Sequence, residues 1–184
     1  MTRLGLALLV AALAPATGAR ADAGPVDAVV GEVGASIMTA SDIALARALG
    51  LFGFTPSDAP ILTADVDRYG TALVAVLEAS RLGIGPTPPE LEQAWTTLEA
   101  QLGGADLLRS WLEATTIDTA WARKSLEAHL RWRAWTALHE GLTIETPGAK
   151  TETPGLGSDL VVRNLLGPRQ AIVVPFAMPP RAAP

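Results

Sequence analysis

The chain has 184 residues, of which 49% are hydrophobic, and its net charge is −5. This length suits one domain and the apolar content is enough to build a core, so the composition excludes a disordered protein. The acidic balance argues against a nucleic-acid partner, because no basic surface is available to neutralise phosphates. The sequence contains no cysteine, so disulfides are excluded and stability must come from packing.

The first residues have the pattern of a secretory signal peptide. Arg3 gives a short basic start, Leu4–Leu13 is an apolar run too short to cross a bilayer, and Ala19–Ala21 offers a small-residue cleavage site. An uncleaved anchor or a buried helix is the alternative. Removing residues 1–21 takes away two arginines and no acid, which changes the net charge from −5 to −7. We therefore predict an exported, periplasmic protein with no membrane insertion after cleavage.

The mature chain is predicted to begin with a β-hairpin and a short helix. Val26–Val33 is rich in β-formers, Gly34-Ala35 supplies a bend, and Ser36–Met38 resumes the strand pattern. Thr39–Asp42 then offers capping side chains for a short helix that Gly50 ends. The next segment, containing Phe52 and Phe54, has two interpretations: core packing, or an exposed apolar lip of a binding groove.

Four further helices are predicted. One runs from Thr63 to Arg81, and the next begins at Thr87–Glu90, where a threonine cap, two prolines and a glutamate form a helix start. Gly103-Gly104 ends that helix, a shorter one contains Leu107–Leu112, and a long one runs from Thr119 to about Glu140. Because their apolar stripes need cover, we expect these helices to pack as a bundle.

The last helix is apolar on more than one side. One stripe is formed by Ala122, Leu126, Leu130, Ala134, Ala137 and Leu138. Tryptophans occupy other parts of its circumference. Such a helix either lies centrally in a bundle or keeps one side for a partner, and the two interpretations are compatible.

The C-terminal part differs in composition. Thr146–Gly157 is rich in Thr, Pro and Gly and indicates a linker, whereas Leu160–Val162 and Ala171–Val174 have the pattern of strands. We expect these strands to form a second hairpin that pairs with the first strands, since an isolated hairpin is marginally stable. The predicted fold is mainly α, with about five helices and a small β-sheet formed by N-terminal and C-terminal strands. The predicted division is 1–21 signal peptide, 22–145 helical domain, 146–157 linker, and 158–184 strand segment and tail.

Residue patterns for catalysis or metal binding are weak. His129 and His139 lack a His, Asp or Glu four residues away that would complete a metal pair. Acidic pairs such as Asp65 and Asp67 lie in first helical turns, where capping explains them. We therefore predict no enzyme activity, no metal and no cofactor.

The five tryptophans all fall in the helical half of the sequence. They indicate either a core of large rings or a groove that holds apolar segments of another polypeptide. We expect Trp111 to be in the core. The predicted peptide-binding residues are Phe52, Phe54, Trp121, Trp132 and Trp135.

Several segments occur in an order that resembles a known family. Val26–Val33 and Ile37–Ile43, followed by Leu82–Ile84, Gly103-Gly104 and Ile117-Asp118, resemble the N-terminal domain of SurA-type periplasmic chaperones and their parvulin-linked relatives. The resemblance implies a helical module that binds unfolded outer-membrane or secreted polypeptides without ATP. It also implies that a C-terminal segment returns to complete that module.

The chain departs from this family after its last helix. The remaining sequence is too short for a parvulin prolyl-isomerase domain, so isomerase activity is not carried over. The leading expectation is a periplasmic, ATP-independent chaperone-like module for unfolded polypeptides. The alternative is a structural or assembly adaptor of the cell envelope, whose groove is filled by one fixed partner or by a second copy in a homo-oligomer.

Overall fold

The computed structural model describes residues 27–139, 162–167, 170–174 and 178–181. The predicted signal peptide and linker lie outside the described residues. In chain order the elements are β1 (Val29–Val33), β2 (Ser36–Thr39), α1 (Ala40–Leu49), α2 (Thr63–Arg81), α3 (Pro88–Gln101), α4 (Ala105–Ala114), α5 (Thr119–Leu138) and β3 (Val162–Asn164). The prediction of a mainly α fold with five helices and a small sheet is confirmed for this part of the chain.

The first two strands form the predicted hairpin. Val33 pairs with Ser36, and Gly34 turns the chain with a φ of 55°, a conformation that glycine adopts without steric cost. The register of β1 and β2 shifts between Val29 and Gly31. This bulge places both Val30 and Gly31 on buried positions.

The sheet has the order β2-β1-β3, and both neighbours run antiparallel to β1. The C-terminal strand therefore does join the N-terminal strands, as predicted. The predicted second hairpin is wrong for the described residues, because Ile172 does not pair with β3. It forms an isolated bridge with Ile61, whose N–H donates to the Ile172 carbonyl at 2.7 Å. Each C-terminal segment thus takes its partner from a distant part of the chain.

Local capping explains where the helices begin. In α1 the Asp42 N–H donates to the Thr39 hydroxyl at 3.2 Å, and the Thr39 N–H donates to the Asp42 carboxylate at 3.0 Å. At the start of α3 the Thr87 N–H and hydroxyl both donate to the Glu90 carboxylate, at 2.7 and 2.8 Å. The two reciprocal bonds of α1 form a capping box, and in α3 the glutamate satisfies the backbone donor of the cap residue.

The helices differ in how deeply they are buried. Helix α1 has eight of its ten residues buried, and it lies against β2, α2 and α5. Helix α2 packs mainly on α5, and Ala122 and Leu126 of α5 are buried. Helix α3 contacts α5 and α4 and buries Trp95 and Leu98. The core is therefore centred on α1, α2, α5 and the sheet.

The end of α5 departs from the predicted stripe. Leu138 is 68% exposed and Ala137 is also exposed, because Trp135 is the side chain that packs on Ala75 and Ala79 of α2. Within residues 27–139 and the described C-terminal segments, no helix combines the length and hydropathy needed to span a membrane.

Candidate functional site

The segment between α1 and α2 holds Phe52 in an unusual backbone conformation. Phe52 has a φ of 52°, and it lies between Gly50 and Gly53, with φ values of 70° and 72°. A positive φ is rare for a bulky residue and costs about 1–3 kcal/mol. The Phe52 N–H donates to Nδ1 of His129 at 2.9 Å. The tertiary structure therefore holds this strained turn through a bond from α5.

The ring of Phe52 is the centre of an aromatic cluster. Its centroid lies 5.5 Å from Tyr69, 5.5 Å from His129 and 5.9 Å from Trp132, each in an edge-to-face arrangement that suits the charge distribution of the rings. Phe52 is 2% exposed and Phe54 is 6% exposed. Of the two interpretations of this segment, core packing is confirmed.

His129 is the main residue that sequence reasoning missed. Its ring stacks on Trp132 with centroids 5.4 Å apart, and its Nδ1 must be unprotonated to accept the Phe52 N–H. Burial, and then the positive charge of Arg133, lower the pKa of His129 to about 4. The imidazole is therefore a neutral structural acceptor at physiological pH.

Trp121 is half-buried and its position is fixed by α1. Its Nε1 donates to one carboxylate oxygen of Asp42 at 3.2 Å, while the other oxygen serves the α1 capping box. Burial, and then the charge of Asp42, raise the pKa of Tyr69 above its ordinary value. Asp42 therefore joins the start of α1 to α5, and its negative charge also acts on Tyr69 of the aromatic cluster.

The two half-buried tryptophans lie on the same side of α5. Trp121 and Trp132 are about three helical turns apart, and the helical period places Ser125 and Ala128 between them. All four side chains are partly exposed, and Trp121, Ala128 and Trp132 pack against the core. We call these four residues the indole face. It presents two large rings whose other sides rest on α1 and on the Phe52 segment.

Trp135 and Phe54 are buried and do not belong to the indole face. Trp135 is 4% exposed and stacks on His139 with centroids 4.1 Å apart. It forms a small buried cluster with Ala75 and Ala79, against which Trp132 of the indole face also packs. The guanidinium of Arg68 lies 5.4 Å from the centre of the Phe54 ring. The structure thus brings together Phe52, Trp132 and, along the helix, Trp121, but it does not bring all five predicted residues to one surface.

The remaining tryptophans are in the core. Trp111 is 6% exposed, as predicted, and Trp95 is also 6% exposed. The guanidinium of Arg123 lies 4.7 Å from the centre of the Trp95 ring and pairs with Glu92. Core packing and the Arg123 guanidinium therefore hold the Trp95 ring.

A small cavity lies between α1 and the C-terminal segments. It has a volume of about 10 Å³ and is lined in part by Arg47, Ser57, Ile61, Val174 and Met178. That volume holds about one water molecule. Arg47, although buried, is satisfied by the Pro60 carbonyl at 3.2 Å and the Ser57 hydroxyl at 2.9 Å. The cavity is therefore part of the packing between α1 and the loop that follows it.

The described residues contain no cluster of His, Cys, Asp or Glu that could hold a metal ion. Comparison of the chain with protein-family models, with characterised proteins and with solved structures finds no match in any of the three. The fold itself defines the class: a mainly α-helical module whose small sheet joins N-terminal and C-terminal strands.

Proposed function

We propose that this protein is a periplasmic, ATP-independent, chaperone-like module that binds apolar segments of unfolded outer-membrane or secreted polypeptides. The observation that supports this proposal is the indole face, where Trp121 and Trp132 are only partly buried. Tryptophan contributes a large apolar contact and is enriched among the residues that dominate binding energy.

The indole face is also held in place before any ligand binds. The Trp121 ring is held by its bond to Asp42, and the Trp132 ring is held by contacts with Phe52 and His129. Side chains that are already ordered lose little conformational entropy on binding. Phe52 supports the face from beneath, whereas Phe54 and Trp135, as buried residues, contribute through the fold.

A second candidate function is an envelope adaptor with one fixed partner. It is favoured by the burial of Phe52, Phe54 and Trp135, because the aromatic area left on the surface is small. A small, rigid contact area suits one defined epitope better than many different clients.

Aggregation of unfolded clients separates these two functions. The mature protein would be mixed with several unrelated unfolded outer-membrane proteins, and light scattering would be followed over time. We expect suppression for most clients and loss of at least half of that suppression in the double variant Trp121→Ala/Trp132→Ala. Indifference to every client, together with tight binding of a single envelope protein, would instead establish the adaptor.

The matched control removes exposed apolar side chains outside the indole face. Leu82 and Leu107 are 53% and 46% exposed, so Leu82→Ala/Leu107→Ala lowers general surface hydrophobicity without changing the rings. Circular dichroism and denaturant unfolding would verify that both variants fold. Equal losses of suppression in the two variants would refute a role for the indole face.

A further inference from the structure

Strand β3 lies between β1 and α2, in a space that exists because two residues lining it are glycines. A Cβ atom at Gly70 would lie 2.5 Å from Cγ1 of Val162, and one at Gly31 would lie 2.8 Å from the Arg163 carbonyl oxygen. Gly70 is inside α2, where glycine destabilises a helix by about 1 kcal/mol relative to alanine. The missing side chains are what admit an extended segment at this place. We call this space, which Gly31 and Gly70 line, the β3 groove.

The groove recognises the side chain of Asn164. The Asn164 Nδ2 donates to the Thr63 carbonyl at 3.1 Å and to the Asp67 carboxylate at 2.9 Å, both at the start of α2. The Asn164 side-chain oxygen accepts from the Leu166 N–H at 2.9 Å. A carboxamide satisfies all three contacts because it carries donors and an acceptor together.

Charge complementarity adds a third requirement. Val162 and Asn164 are the partly buried residues of β3, and the exposed Arg163 between them pairs with Glu32 of β1 at 3.0 Å. Glu32 therefore favours a basic residue at the outward position of the bound segment, and Asp67 accepts from the inward asparagine. The segment that fits is therefore an extended one with a β-branched apolar residue, then a basic residue, then an asparagine.

The pairing of the present occupant with β1 is short, and a separate bridge between Ile172 and Ile61 holds the chain farther along. Only three residue pairs join β3 to β1, and Val162, Arg163 and Asn164 all retain some exposure. Residues 140–161 separate β3 from α5 in sequence. Covalent attachment gives such a segment an effective concentration of the order of millimolar. A competing polypeptide needs only to overcome that advantage.

We propose that the β3 groove is a binding site for an extended polypeptide of this pattern, and that the protein's own C-terminal segment is a displaceable occupant. A partner segment enters by adding a strand to β1, a mode in which backbone bonds give affinity and alternate side chains give specificity. The site shares no residue with the indole face, so the proposal goes beyond the function proposed above and does not depend on it.

The direct test uses a fluorescent peptide with the sequence of Val161 to Gly167 and the full chain. The variant Asn164→Ala removes the occupant's side-chain hydrogen bonds to Thr63 and Asp67 and leaves the groove residues unchanged. We expect this variant to bind the peptide at least tenfold more tightly than the unchanged chain by fluorescence anisotropy. The same peptide with alanine in place of its asparagine is expected to bind at least tenfold more weakly, and added salt is expected to weaken binding of the original peptide.

Filling the groove provides the matched control. Gly70→Ala, added to Asn164→Ala, places a methyl group where the valine of the peptide must lie, and it favours the α2 helix itself. We expect peptide binding to be lost while circular dichroism retains the helical signal. In the otherwise unchanged chain, Gly70→Ala is expected to increase hydrogen exchange at the Leu165 amide, which bonds to the Val30 carbonyl, and Val162→Ala is expected to reverse that increase.

Three outcomes would overturn the proposal: equal affinity of the Asn164→Ala and unchanged chains, binding that survives Gly70→Ala, or a concentration-dependent dimer of Asn164→Ala that takes up no peptide. The last would show that a second copy is the partner. Trp121→Ala/Trp132→Ala is expected to leave peptide affinity unchanged, which separates this test from that of the indole face.

Discussion

Helices α1 and α3 begin with the same local device and end with very different amounts of buried surface. Each starts with a threonine whose N–H donates to an acidic side chain three residues later. Yet α1 buries eight of its ten residues, whereas α3 buries two of its fourteen. Caps determine where a helix begins, and packing against other elements determines how much it stabilises the molecule.

The largest expected effect comes from shortening a core side chain in each helix. Leu45 of α1 is 0% exposed and Leu98 of α3 is 5% exposed. Leu45→Ala is expected to lower the free energy of unfolding by about 3–4 kcal/mol, because the closely packed surroundings of α1 cannot collapse into the cavity. Denaturant unfolding is the measurement, and we expect one cooperative transition at a lower midpoint.

Leu98→Ala is the matched change. We expect a smaller loss, of about 2–3 kcal/mol, expressed mainly as local opening of α3 and α4. Hydrogen exchange would show faster exchange in these helices than in α1 and α2. Uniform acceleration across all five helices would mean that α3 is as integral to the core as α1.

The next effect concerns pH and the bond that ties α5 to the Phe52 segment. The folded-state pKa of His129 is lowered to about 4 from an ordinary value of 6.5. The unfolded chain therefore binds more protons between these values, and the stabilisation by neutral His129 is complete above pH 6.5 and is lost as the pH falls toward 4. We expect a loss of about 2 kcal/mol over this window, allowing for partial exposure of the ring.

The control for this prediction is His129→Asn, whose side-chain oxygen is placed to accept the Phe52 N–H without titrating in this range. Urea unfolding at a series of pH values would compare the two proteins, and carboxylates common to both would contribute equally. The same pH slope in both proteins would contradict the assigned role of His129.

The smallest expected effect compares the two capping threonines. Thr39→Ala is expected to cost about 1 kcal/mol in global stability, because α1 is part of the core. Thr87→Ala removes the corresponding hydroxyl at the exposed start of α3, and we expect fraying of that helix with little change in the global midpoint. Thermal unfolding and exchange of the first-turn amides would measure both. A larger midpoint shift for Thr87→Ala would reverse the comparison.

The sequence predicted the elements well because their signals are local. The hairpin turn at Gly34, the caps at Thr39 and Thr87 and the left-handed stop at Gly50 each act within a few residues. The bounds of α2 follow the predicted Thr63 and Arg81. Short-range chemistry alone was sufficient at these positions.

The candidate site was harder to predict because its contacts join distant residues. The hydrogen bond between Phe52 and His129 joins residues 77 positions apart in the sequence, and the bond between Trp121 and Asp42 joins residues 79 positions apart. An apolar pattern identified Phe52 and Phe54 as large rings that need cover, but it contains no information on which element provides the cover. The C-terminal hairpin was wrongly predicted for the same reason. Two adjacent segments with strand patterns favour a hairpin, but in the structure one pairs with β1 and the other with Ile61.

The central position of β1 has a consequence for how the chain reaches its folded state. Arg163 bonds to Glu32, which lies 131 positions earlier in the sequence. The edge of β1 that pairs with β3 therefore stays unpaired until Val162 to Asn164 have been synthesised. During that interval β1 displays unpaired backbone groups that any extended neighbour could use. A nascent chain arrested before Val162 should therefore be the form of this protein most prone to aggregate. Synthesis of β3 should cover the exposed edge of β1.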